Sequence, residues 1–153
     1  MKRVFSILIC ILLIGSTLIL PATATEVISN DDIVLSRTID NLGNDCYYIE
    51  TIYVPSIQSY GNTKTGTKVA EYIASGTTIF TISVTGIFTY DGSTSQATSA
   101  SGSISAHVDG VTLNSRRAYT SGASACAYGS VTYNGATLQK TVTLTCDKNG
   151  NLS

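Results

Sequence analysis

Residues Thr77–Tyr90 read TTIFTISVTGIFTY. Phe80, Ile82, Val84, Phe88 and Tyr90 recur with a period of two, and Thr81, Ser83, Thr85 and Thr89 stand between them. That alternation is the pleat of a β-strand with one buried and one wetter face. β-Branched and aromatic residues suit such a surface, and Gly86 predicts a kink or bulge within it. The run exceeds an ordinary strand of about five or six residues, so it is expected to bend across a whole sheet. Ile79 and Ile87 fall on the opposite face. Segments 33–35 and 46–54 are expected to cover them; left bare, the two would mark a docking patch.

Neighbouring segments continue the pattern. Residues 46–54, CYYIETIYV, form a credible strand that Pro55 ends, and residues 68–73 a shorter one turned by Ser75-Gly76 into the central run. Residues 56–67, with Gly61, Asn62 and Gly66 among polar neighbours, read as a loop. Upstream, residues 25–44 are weakly periodic, with a short strand at Ile33, Val34 and Leu35 and a turn around Gly43.

Four turns follow the central run; residues 120–122 break the chain after Arg116 and Arg117, and face sorting sets the register of the other three. A two-residue loop at Asp91-Gly92 would place Val84 opposite Ser99 and mix the faces. An odd loop of three or five residues sets Val84 against Ala100 or Gly102, with Gly92 or a bulge absorbing the twist. Asp109-Gly110 predicts a two-residue hairpin pairing Val108 with Val111 and Ala106 with Leu113. Asn134-Gly135 predicts another, with Val131 opposite Leu138, Ala127 opposite Val142, Ala125 opposite Leu144 and Ala123 opposite Cys146. Its other face sorts Ser124, Cys126, Tyr128, Ser130 and Thr132 with Thr137, Gln139, Thr141, Thr143 and Thr145. Lys140, opposite Gly129, is the exception on the apolar side. About seven strands joined mostly by tight turns predict an all-β antiparallel sandwich, with a small barrel as the alternative.

The chain begins MKRVFSILICILLIGSTLILPATA. A charged start at Lys2 and Arg3, an apolar run and Ala22-Thr23-Ala24 have the layout of a helical signal peptide over residues 1–24. Its removal predicts a secreted protein; an uncleaved membrane anchor is the alternative. Residues 25–45 are then a weakly structured N-terminal segment and 46–153 the sandwich domain. Without Lys2 and Arg3, the nine Lys and Arg fall to seven against ten Asp and Glu, a net charge of −3. Only Arg116 and Arg117 are adjacent cations, which argues against nucleic acid as a partner.

Chemistry-bearing groupings are few. Cys46, Cys126 and Cys146 allow a disulfide, and Cys46–Cys146 is the favoured pair because Cys126 and Cys146 fall on opposite faces of the last hairpin. Three free thiols are the leading reading, and the bond is the alternative to it. No close cysteine pair suggests zinc, and His107 reads as an exposed residue beside a turn. No nucleophile elbow, phosphate loop or paired carboxylates stand out, so no catalytic, cofactor or metal residues are assigned. The threonine row 141, 143 and 145 reads as a solvated strand face. Arg116 and Arg117 with Tyr119 could form a glycan or anion patch.

The segments TGIFTYDG (85–92), TVTLTCDKNGNLS (141–153) and KTGTK (64–68) resemble an uncharacterised group of small secreted β-rich proteins of Gram-positive, often gut-associated, bacteria. The similarity spans the chain beyond Tyr47, and this sequence departs from the group in lacking tryptophan. The resemblance implies export and a β fold and transfers no activity. The resulting expectation is a secreted, non-enzymatic module that binds an extracellular glycan, cell-wall component or protein. A subunit of a surface assembly and a small hydrolase are the alternatives.

Overall fold

The computed structural model describes residues 32–57 and 61–153, so the signal peptide expected at 1–24 lies outside the described residues. Among the described residues, eight antiparallel strands form two sheets. The first is a five-stranded meander of β1 (Asp32–Gly43), β2 (Cys46–Pro55), β3 (Thr63–Ala74), β4 (Thr77–Tyr90) and β5 (Ser95–Ala106), in that spatial order. The second holds β6 (Thr112–Ser121), β7 (Ser124–Tyr133) and β8 (Ala136–Thr145). The fold is a β-sandwich with no closed barrel.

The central run forms β4, and its core face is sealed: Phe80, Ile82, Val84 and Phe88 are at most 1% exposed. Burial of each such side chain contributes about 2 kcal/mol before entropic costs. Gly86 is no bulge, contrary to the expectation. It pairs regularly with Gly66 and Ala100. A Cβ there would stand 2.6 Å from the Phe88 ring and 2.8 Å from Ala125 Cβ, so its bareness admits the opposing sheet. The bulge lies at Ile79 instead, between the Tyr72–Phe80 and Ile73–Thr78 pairs. It brings Ile79 into the same buried core as Phe80, because a bulge re-aims the extra side chain.

Segments 33–35 and 46–54 do not cover a sheet face. They lie in β1 and β2 and widen the same sheet, so the weakly periodic 25–45 segment contributes a 12-residue strand beginning at Asp32. Its periodicity is weak because β1 is exposed along most of its length and carries register shifts at Leu35 and Leu42. The 56–67 loop is also shorter than expected, since β3 starts at Thr63.

Turn chemistry is borne out in part. Tyr90 pairs with Ser95, so the loop has four residues, 91–94, and not three or five; Asp91 closes it by accepting N–H bonds from Ser93 (2.8 Å) and Thr94 (2.7 Å). A bulge at Thr98 then moves the register by one and sets Val84 opposite Gly102, as the apolar face requires. Thr98 Oγ1 donates to Ile87 O at 3.1 Å and pins it. Asn134-Gly135 closes β7 and β8 in the expected register throughout, with both residues at positive φ (50° and 76°).

Asp109-Gly110 does not close a hairpin. β5 ends at Ala106 in one sheet and β6 begins at Thr112 in the other. The turn is a corner, and Val108 and Val111 pack against the core on either side of it. A local turn signal cannot distinguish a hairpin from a crossing. The apolar face of the meander needs a second layer, and this corner provides it.

Small residues set the spacing of the layers. A Cβ on Gly102 would approach Ala127 Cβ to 2.8 Å and Ser83 O to 3.2 Å. One on Gly129 would meet the Cδ1 atoms of Ile82 and Ile104 at 2.7 Å. Past β8 the chain folds back. Asp147 accepts N–H bonds from Asn149 (2.8 Å) and Asn151 (2.9 Å), and Leu152 returns to pack against Gly66.

Lys140, the exception in the apolar row, has a partner across the sandwich. Its Nζ lies 2.9 Å from Glu50 Oε1 and 3.8 Å from Asp40 Oδ2, and 4.5 Å above the Tyr48 ring. Lys68 holds the other Glu50 oxygen at 3.1 Å. Burial pushes the Glu50 pKa up, but hydrogen bonds from Lys140 and Lys68 more than offset this and keep it below its ordinary value of 4.5. Burial, with Asp40 nearby, pushes Tyr48 up to about 12.

The three described cysteines are free, so the alternative, a Cys46–Cys146 bond, is not formed. Cys46 pairs with Ala74, whereas Cys146 bridges to Leu152, the residue packed on Gly66. The stretch of β3 from Ala74 to Gly66 spans roughly 26 Å at the rise of an extended strand. Disulfide Cα atoms lie within about 7 Å, so the two thiols sit towards opposite ends of the sandwich.

Two predictions follow from this packing. Gly102→Val should lower unfolding stability by roughly 2–3 kcal/mol in a denaturant titration, because the opposing Cβ and carbonyl leave no room; an unchanged midpoint contradicts the close approach. Glu50→Gln should cost roughly 1–3 kcal/mol at neutral pH. A depressed folded-state pKa stabilises above the unfolded value and is lost as pH falls through the folded one. Wild-type stability should therefore decline below about pH 4.5, and the Gln variant should lack that share of the decline.

Candidate functional site

β5 and β6 are edge strands of different sheets, and an open seam runs between them. Its narrowest part is made by residues without bulk: Gly102 on β5 lies against Ala118 on β6 and Ala127 on β7. A cleft of about 170 Å³ opens there, lined by Gly102, Ile104, Arg116, Arg117, Ala127 and Tyr128 among others. A second, of about 260 Å³, shares Ile104 and Arg116 and extends along β6 to Leu113.

Strand alternation divides the two arginines. Arg116 pairs with Gly129, on the face that meets Ile82 and Ile104. Arg117 pairs with Tyr128 on the outer face. The Arg117 guanidinium carbon lies 5.1 Å from the Tyr119 ring centroid and 5.8 Å from that of Tyr128. Cation–π contact with two rings holds the guanidinium in place, and its N–H groups have no described carboxylate partner. Neither arginine has an ion pair among the described residues, whereas Lys68 and Lys140 are both engaged with carboxylates.

Hydroxyls continue the surface. Tyr128 pairs with Thr141, Cys126 with Thr143 and Ser124 with Thr145, so the threonine row shares the outer face with Arg117 and Tyr119. Thr145 is tied to Ser124 at 2.9 Å, while Thr141 and Thr143 are exposed. Asn114 Nδ2 donates to Thr132 Oγ1 at 2.9 Å near the other end of β6.

The patch read from sequence is thus only partly brought together. Arg117 and Tyr119 meet, Arg116 lines the adjoining cleft, Ile79 is buried at 2% exposure, and Ile87 lies on the far sheet beside Thr65 and Ser99. Tyr128 was not singled out. Its signal was available, since a two-residue turn at Gly122-Ala123 places it opposite Arg117. A broader depression of about 600 Å³ lies between the β1–β2 and β3–β4 turns, but its charged lining residue is Asp45 alone.

His107 sits at the end of β5, its Nε2 3.2 Å from Thr81 Oγ1. No described hydrogen bond or ion pair joins it to a carboxylate. No protein-family model matches this sequence, and neither curated proteins nor solved structures yield a significant match.

Proposed function

We propose that this protein is a small secreted, non-enzymatic binding module that takes an anionic extracellular glycan or cell-wall polymer at the β5–β6 seam. The observation that carries the reading is Arg117, in cation–π contact with Tyr119 and Tyr128 and free of any described carboxylate, beside a second arginine without a described ion pair. Sugar C–H faces pack on the exposed Tyr119 ring, hydroxyls meet the threonine row, and acidic substituents pair with the guanidinium groups. Shallow clefts suit a chain that lies along a surface better than a small molecule enclosed in a cavity. The leader-like N-terminus supports export, where such polymers are found.

Calorimetric titration with a uronic-acid polymer, a phosphate-bearing wall polymer and neutral dextran tests this. An acidic polymer should bind, more weakly as salt rises, and dextran should not. The Arg116→Ala/Arg117→Ala variant should lose at least about tenfold in affinity, and Tyr119→Ala several-fold. Equal binding to dextran, or an unaffected double variant, contradicts the assignment.

A further inference from the structure

The opposite margin of the molecule carries a second surface. Among the described residues β1 is hydrogen-bonded to β2 alone, so no described strand pairs with the backbone groups of its other edge. Proteins usually blunt such edges with charge or proline, yet Ile33, Val34 and Leu35 here are each at least 50% exposed. We propose that this edge pairs antiparallel with β1 of a second copy, over the segment Asp32–Arg37.

Self-complementarity of that segment identifies the partner. It reads D-I-V-L-S-R, an apolar centre with opposite charges at its ends. A two-fold axis between Val34 and Leu35 sets Asp32 of each copy opposite Arg37 of the other, and Ile33 opposite Ser36. Residues opposite one another must share a face, and an even strand would fail this condition because 32 and 37 differ in parity. The bulge resolves it. Asp32, Val34 and Arg37 pair with Pro55, Tyr53 and Thr51, which alternate onto one face, while Ile33 and Ser36 pair with Val54 and Ile52 on the other. Leu35 is the extra residue that makes the register consistent. Asp32 and Arg37 have no ion pair among the described residues, in contrast to Asp40, which reaches Lys140.

The two edges beside the seam fit a second copy less well. β6 would bring Arg116 and Arg117 against their own copies, and β5 offers chiefly serine, alanine and glycine. A six-residue pairing is small, so the association is weak, with a dissociation constant on the order of 100 µM. It would join the two five-stranded sheets edge to edge and leave both β5–β6 seams open.

Sedimentation of the purified full chain across a concentration series tests the pairing through a charge exchange. Wild type should shift reversibly from monomer to about twice the monomer mass. Asp32→Lys and Arg37→Glu, each alone, should weaken association by at least about tenfold, because both ends then oppose like charges. Mixed in equal amounts, the two variants should associate again, since each end regains an opposite pair. A wild type that stays monomeric, association indifferent to either single variant, or a mixture that stays apart overturns the proposal. Circular dichroism of each variant separates loss of pairing from loss of fold.

Discussion

The approach of the two sheets across Gly86, Gly102 and Gly129 is the constraint on which the rest of the structure depends. Each glycine faces something that a side chain would strike: Ala125, Ala127, or the ends of Ile82 and Ile104. Bare backbone against small side chains lets β7 sit close to β4 and β5, and Phe80, Ile82, Val84 and Phe88 are sealed as a result. Packing density in a core of this size depends on such fits, since dispersion falls off within a fraction of an ångström.

Unequal sheets have consequences at both margins. Three strands cannot cover five, so the inner face of β2 is sealed at its edge by a charged cluster, with Lys140 reaching from β8 to Glu50 over Tyr48. Beyond it β1 projects as an uncovered edge. At the other margin the corner at Asp109-Gly110 carries the chain from β5 to β6 and leaves the seam that holds the arginines. Both surfaces to which we assign a role are products of that mismatch in width.

Much of the register was legible in the sequence, and the reason is face sorting. The β7–β8 hairpin follows from Asn134-Gly135 and two rows that separate apolar from polar, because a slip by one residue inverts every side chain. The same reasoning narrowed the partner of Val84 to Ala100 or Gly102, and it is Gly102, although a bulge at Thr98 supplied the odd residue that a loop of three or five was expected to supply. Failures fall where side chains carry no such information. β1 is exposed on both faces, so its alternation is weak, and bulges at Ile79 and Leu35 are invisible to a fixed period of two.

Sequence by itself determined the strand class, most turns and the pairing partners of the β7–β8 hairpin, all of which are decided by neighbours along the chain. Tertiary structure decided what depends on the second layer. It made Asp109-Gly110 a crossing, turned Gly86 from a supposed bulge into a point of contact, and gave Lys140 its carboxylate. It also separated Cys46 from Cys146 and divided the patch proposed around Arg116, Arg117 and Tyr119, leaving Arg117 and Tyr119 together with Tyr128 and sending Ile79 into the core. A strand's own pattern states which face is buried. Which residues meet across the layers depends on how two twisted sheets are stacked, and that stacking is set by small residues distant from one another in the chain.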